Sequence, residues 1–514
     1  MRKNHSVSQD ISSRVQIHDK HQFEVKLDYS LSASERESCY RVEAYLFVPK
    51  SLGAHLTTYS RDQFYSDLHT YIRFKTPSLP LEVLLQAQGA SPLLRLEDMV
   101  KKVKPESISE KDAFRMSYDA RLLASMVRAE VRDRVLRVSY LFNTVKHVQT
   151  EEVMGAWRSL MGQMQELLQR MRNVYGFLEQ VPKHLGLAHV GAYVDEYLSL
   201  TCEYHTTFLL DGVSAYTDEV QDLKEVRQKT VDFVLMEQNY RKQRGYKSVL
   251  TPGVENDHFV YRRGKLKKFV SSVLFLDTHR ERELLGVSAV IAALAAGVAM
   301  LVATLAAIFS QQKWGLNTAP FVFALVLSYI VKDRLKDGIK TYVSGKFTHW
   351  LWDYNVHITD PDQHVTFGRC RESVSFMSKP LVPKDVLKVR HGGAMNHMEA
   401  TAKPEVVIKY TKDIRLNGSN IRKWHYDLHD INDLLRFNLS HFLVRADDPM
   451  QIVRHYDAGS DEVKEILCPK LYHLNVVLML KPQKPEKEAR WVRVRVILDR
   501  HGIRELQEIN DALC

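Results

Sequence analysis

Leu284–Phe309 reads LLGVSAVIAALAAGVAMLVATLAAIF, without one charged side chain. As a helix, about 26 residues at about 1.5 Å each reach roughly 39 Å, enough to cross the apolar core of a bilayer with some tilt. A soluble core helix of this length normally keeps a wet face. Here only Ser288 and Thr304 are polar, and such hydroxyls can bond back to their own helix. After Ser310–Lys313 a second uncharged run, Trp314–Val331, lies near the lower length limit for a span. Together the two runs read as a two-helix transmembrane hairpin. Small residues recur at every fourth position, Ala289, Ala293 and Gly297 on one face and Ala295, Ala299, Ala303 and Ala307 on another. Such rows allow close backbone approach, either to the second span or to a second copy of the chain. Neither run holds an Asp, Glu, Lys, Arg or His, which argues against a proton or ion pathway.

The flanks set an orientation. His279, Arg280 and Arg282 precede the first run, Lys332, Arg334, Lys336 and Lys340 follow the second, and the turn holds only Lys313. Positively charged flanks stay on the cytoplasmic side. Both termini are therefore expected in the cytoplasm, at the inner membrane if the source is bacterial. The opening residues MRKNHSVSQDISSRVQIHDKHQ contain no apolar signal-peptide core, which agrees. The net charge of +10 implies attraction to anionic surfaces. Arg262, Arg263, Lys265, Lys267 and Lys268 concentrate part of it just ahead of the first span. A lipid bilayer with anionic headgroups is the expected partner; nucleic acid is not, since no nucleic-acid-binding motif is present. The five cysteines are scattered without a CxxC pair, and on the cytoplasmic side they are expected as free thiols.

In chain order, residues 1–20 are polar and expected to be flexible. Residues 21–105 open with two strands, Gln22–Leu31 and Cys39–Pro49, followed by short helices at Gln63–Lys75 and Pro80–Lys104. Residues 106–283 carry helical periodicity. Trp157, Leu160, Met164, Leu167, Met171, Val174, Leu178 and Val181 keep the three-four spacing of a coiled-coil seam; glycines beside it favour an antiparallel bundle within one chain. Further helices are expected at His189–Leu210 and Thr217–Arg244, broken at Asp211–Gly212, with a last one at Glu255–Arg282 running directly into the membrane. After the hairpin at 284–331, residues 332–514 begin with a helix, Lys332–Trp352, and turn to strands. The clearest pair is Leu471–Leu480 with Arg490–Leu498, where Val492, Val494 and Val496 alternate with Arg493 and Arg495. That alternation predicts one buried face and one wet, basic face. A short helix is expected at Ile431–His441. Because both flanks return to one side, the N-terminal strands are expected to complete the C-terminal sheet.

Three constellations resemble chemistry. His425, His429, Asp430, Asp433 and His441 offer metal-type ligands, but a site needs three or four converging in space, and Asp430 more simply caps the helix after it. His357, Asp360, Asp362 and His364 bracket the turn Asp360–Asp362, where Asp is favoured for backbone bonding. Cys370 lies between Arg369 and Arg371, neighbours that lower a thiol pKa, yet no paired base is evident. No GxxxxGK[ST] loop, GxGxxG, HExxH or GxSxG is present. No residue is therefore assigned a catalytic, cofactor-binding or metal-ligating role, and no cofactor is expected.

The fold class expected is an α+β membrane protein: an N-terminal strand pair, a cytoplasmic helical bundle, a two-helix transmembrane hairpin and a C-terminal β-rich domain. The function expected is a membrane-anchored cytoplasmic scaffold or tether that presents its domains to a protein partner or to itself as a homo-oligomer. The rivals are a membrane-localised enzyme with a site between the cytoplasmic domains, and an oligomeric channel or membrane effector.

Overall fold

The computed structural model describes residues 11–31, 36–53, 58–86, 91–144, 150–214, 221–315, 318–347, 352–392, 405–425, 430–482 and 489–509. The chain is α+β and divides into two compact units, Lys75–Phe275 and a second made of Met1–Phe74 with Leu276–Cys514. The helices are α1 (Arg61–Asp67), α2 (Leu81–Leu85), α3 (Pro92–Lys102), α4 (Glu110–Thr144), α5 (Thr150–Leu178), α6 (Leu187–Ser214), α7 (Gln221–Gln243), α8 (Asp257–Ser271), α9 (Glu283–Trp314), α10 (Ala319–Phe347), α11 (Lys384–His391), α12 (Gly418–Trp424) and α13 (Ser440–Leu443). The strands are β1 (Ile11–Ile17), β2 (Gln22–Tyr29), β3 (Glu37–Pro49), β4 (Leu68–Phe74), β5 (Asp277–Arg282), β6 (Tyr354–Thr359), β7 (Thr366–Met377), β8 (Glu405–Asn417), β9 (Ile431–Asn438), β10 (Met450–Asp457), β11 (Glu462–Pro469), β12 (Tyr472–Pro482), β13 (Arg490–Asp499) and β14 (Gly502–Ile509).

These strands all belong to the discontinuous unit. Eight form one antiparallel sheet in the order β14-β13-β12-β3-β8-β7-β6-β5, and four form another, β1-β2-β9-β4; β10 and β11 make a separate ribbon. The N-terminal strands thus sit among C-terminal ones. β3 lies between β12 and β8, with Val42 opposite both Leu480 and Lys412, while β2 pairs with β9, Phe23 opposite Phe437. The expected completion of the C-terminal sheet by N-terminal strands is what the structure shows. The two sheets stack through their period-two inner faces: Tyr29 packs on Tyr40 at 5.1 Å and Phe74 on Phe367 at 6.0 Å between ring centroids.

The large sheet is buried on its second face as well. α11 lays Val386 and Val389 on Tyr45, Phe47, Val407 and Val477. This corrects the wet, basic face expected for β13: Arg493 is buried there, donating to the Gly392 carbonyl at the end of α11. The apolar run Tyr45–Val48 in β3, buried at every position, is the sequence trace of that double coverage.

Other expectations shift for local reasons. Ile11–Ile17, placed in the flexible N-terminal segment, is β1, paired along its length with β2. The Gln63–Lys75 helix is only α1, and the chain continues as β4 at the edge of the small sheet. Of the helix expected at Ile431–His441, Ile431–Asn438 is the strand β9, with Ile431, Asp433, Leu435 and Phe437 on one face and both β2 and β4 paired with it; only Ser440–Leu443 is helical. α6 runs through Asp211 and Gly212 without a break. The helix expected from Glu255 into the apolar run stops at Ser271, and Asp277–Arg282 pairs with β6 as β5.

The helical unit comprises α2 to α8. Every residue of the expected seam on α5, with Val181 just beyond it, is buried, and the Trp157 indole donates to the Thr230 hydroxyl on α7 at 3.1 Å. Its interior is also polar. Arg172 on α5 reaches Glu237 on α7 at 2.6 Å, Ser199 on α6 donates to the same carboxylate at 2.6 Å, and Arg241 donates to Ser199 at 2.8 Å. Arg172 and Arg241 each meet a carboxylate, so these buried charges are compensated.

Candidate functional site

The two strands that hold the apolar helices form one edge of the large sheet. β5 and β6 are antiparallel, with Arg282 directly opposite Tyr354, and everything between those two residues leaves and returns at one point. α9 begins one residue after β5. Among the described residues, Ala292–Trp314 is the one helical stretch long and apolar enough to cross a membrane, with mean hydropathy 2.3 and only 11% of its apolar window buried. Helix α9 runs through the expected turn to Trp314 and ends at Gly315, whose positive φ of 74° favours glycine.

α10 returns along α9. Ser328 donates to the Ala303 carbonyl at 3.1 Å, and Ala295 and Ala299 are buried. The Ala295 row is therefore the contact face, whereas Ala289, Ala293 and Gly297 lie exposed. α10 is shorter in apolar length than the sequence suggested. It starts at Ala319 and meets Lys332 after about 13 residues, or about 20 Å. Most apolar side chains of the pair are bare: Leu301 is 63% and Phe323 72% exposed.

The constellations seen in the sequence are redistributed. His425 and Asp360, from different groups, come together with a 2.5 Å contact between Nε2 and the carboxylate. The ring is buried beside Phe74 and Phe367. Asp360 also accepts from the amides of Asp362 and Gln363 at 2.7 and 2.9 Å, the expected turn. Burial opposes its ionisation, but the His425 ring and these amides outweigh that and hold the carboxyl below its usual range. Asp430 precedes a strand and caps no helix; His429 lies outside the described residues. His441 packs against Tyr59 at 5.0 Å, His364 occupies a left-handed turn position, and His357 lies 3.9 Å from Glu281. Among the described residues no three His, Cys, Asp or Glu side chains are grouped to hold a metal.

Cys370 behaves opposite to expectation. Strand alternation sends Arg369 and Arg371 to the other face of β7, leaving the thiol in the inter-sheet core, where burial pushes its pKa well up. Around it lies a group not recognised in the sequence. Lys412 on β8, fully buried, is 2.7 Å from Asp433 on β9 and 3.7 Å from Glu372 on β7; Glu372 is 3.3 Å from Arg280 on β5. The Tyr29 hydroxyl donates to Asp433 at 3.3 Å. Burial disfavours the ammonium, but Asp433, the Cys370 sulfur and Glu372 outweigh it and raise the Lys412 pKa. Two cations and two carboxylates neutralise one another, so the group is a self-contained polar core joining the two sheets. Its signal was parity: Lys412 shares the inward phase of Tyr410, Ile414 and Leu416 in an otherwise apolar strand face. No protein-family model matches the sequence, and no curated protein matches it.

Proposed function

We propose that the chain is an integral membrane protein in which α9 and α10 cross the bilayer as a hairpin and hold both units on one side as a scaffold or tether. The observation that carries the reading is the pairing of β5 with β6 at the feet of a bare apolar helix pair. A strand partner sits about 5 Å away, so the two feet cannot lie on opposite sides of a bilayer. A crossing by α9 then demands a return by α10. The apolar part of α10 is roughly 20 Å long, and Lys332, lying 3.8 Å over the Tyr329 ring, snorkels to the headgroups. The basic flanks favour a cytoplasmic side for the units and both termini. Confinement near the membrane raises the effective concentration of the two units for protein partners, or for other copies, held there.

The test is alkaline carbonate extraction of membranes from cells expressing the full chain, beside a variant in which a short polar loop replaces residues 283–351. The reading expects the full chain in the pellet and the loop variant, folded, in the supernatant. A full chain released by carbonate contradicts it.

A further inference from the structure

The basic run that precedes the apolar segment does not act as one surface. Arg262 turns inward and pairs with Glu196 on α6 at 2.5 Å. Arg263 and Lys267, one helical turn apart on α8, face a cavity of about 420 Å³ instead. Arg128 and Arg132, also four apart, line it from α4, and α6 supplies Tyr197, Thr201 and His205 at the same spacing. Residues four apart stand on one helix face, so three helices converge their polar rows on one space.

The balance of charge in this space is one-sided. Among the described residues four cations line it and no carboxylate does; Asp133, beside them on α4, is bonded to Arg132 at 2.8 Å as an exposed pair, which contributes little. Arg263 lies over the Tyr204 ring at 5.3 Å, an arrangement that orients the guanidinium without neutralising it. Burial, then the Arg128 and Arg132 guanidiniums, pull the His205 imidazole down to about 4, so at neutral pH that ring adds a polar wall and no charge. Elsewhere in the same unit Arg172, Arg241 and Arg262 each meet a carboxylate within the bundle, whereas every charged residue described in the lining of this cavity is a cation.

We propose that this cavity between α4, α6 and α8 binds a phosphate-bearing anion. Guanidiniums present forked donors that match phosphate oxygens, and Lys267 adds a point charge. The volume lies within the range of small-ligand sites, and the walls formed by Leu200, Val260 and the Tyr204 ring accept an apolar body beside the phosphate. That chemistry fits a soluble phosphate compound and a phospholipid headgroup alike. The inference stands independently of the membrane reading.

The experiment is calorimetric titration of the full chain in neutral detergent with inorganic pyrophosphate, and separately with dihexanoyl phosphatidic acid against dihexanoyl phosphatidylcholine. Arg263→Gln with Lys267→Gln removes two exposed charges that line the cavity. Lys265→Gln with Lys268→Gln removes two from the same helix that do not. Loss of one charge-assisted hydrogen bond weakens affinity about tenfold, so the first pair should weaken binding at least about tenfold while the second leaves it within about twofold. Binding of pyrophosphate identifies a soluble ligand, and binding of phosphatidic acid alone identifies a headgroup. Equal losses in the two double variants, or no binding of either probe by the unaltered chain, overturns the proposal.

Discussion

Lys412→Met tests the polar core between the sheets. The substitution keeps the length of the side chain and removes its charge, leaving Asp433 and Glu372, both almost fully buried, facing each other across the gap. Glu372 keeps Arg280 at 3.3 Å, and Asp433 keeps the Tyr29 hydroxyl at 3.3 Å. One buried carboxylate thus loses its counter-ion. Removing one partner of such a pair costs about 3–5 kcal/mol, which lowers the melting temperature on the order of 10 °C in a unit of this size. The pH dependence has a definite sign. Without Lys412 the pKa of Asp433 rises further above its unfolded value, so the variant's folded state binds a proton that the unfolded state releases. Its deficit should therefore shrink as pH falls from neutral toward the Asp433 pKa. Adding Asp433→Leu removes the orphaned charge and should restore more than half the loss. Thermal unfolding in detergent across pH reads all three quantities. A single-variant loss under about 1 kcal/mol, or a double variant equal to the sum of its parts, would show that Lys412 and Asp433 do not act as a pair.

Two further outcomes follow from neighbouring groups. The Tyr410 hydroxyl is buried without a hydrogen-bond partner among the described residues, so Tyr410→Phe should leave the melting temperature unchanged or slightly raised; a loss above about 1 kcal/mol would reveal a bond that the structure lacks. His205 faces Arg128, Arg132 and Asp133 on α4 and Arg263 and Lys267 on α8, with Tyr197 and Tyr204 on its own helix. An anion in the cavity raises the imidazole pKa from about 4, so the complex takes up a proton and affinity for sulfate rises as pH falls from about 6.5 toward 4. In His205→Gln that rise should disappear, and an unchanged slope there would assign it to another group.

What the sequence made legible was governed by periodicity. The β12–β13 pair, the seam on α5 and the strand character of Gln22–Tyr29 rest on apolar spacing, and each has its apolar residues buried as that spacing requires. Errors arose where context outranks local pattern. Ile431–Asn438 carries an apolar set compatible with either period, and only the presence of β2 and β4 on both sides decides for a strand. Arg493 reads as wet because nothing local announces α11, about a hundred residues upstream. Cys370 reads as activated through its sequence neighbours, although a strand sends those neighbours to the opposite face. The Lys412 group and the α4–α6–α8 cavity were missed for a shared reason: their members are far apart in the chain and ordinary taken singly. Their meaning comes from convergence.

The central claim is that the segment between β5 and β6 passes through a bilayer and comes back. An epitope inserted after Gly315, with a second tag at the C-terminus, can be probed by protease in sealed right-side-out vesicles. The account predicts that the epitope beside Gly315 is cleaved while the C-terminal tag is protected, and that inverted vesicles exchange the two results. Both tags cleaved together, or both protected together, in each orientation would contradict it.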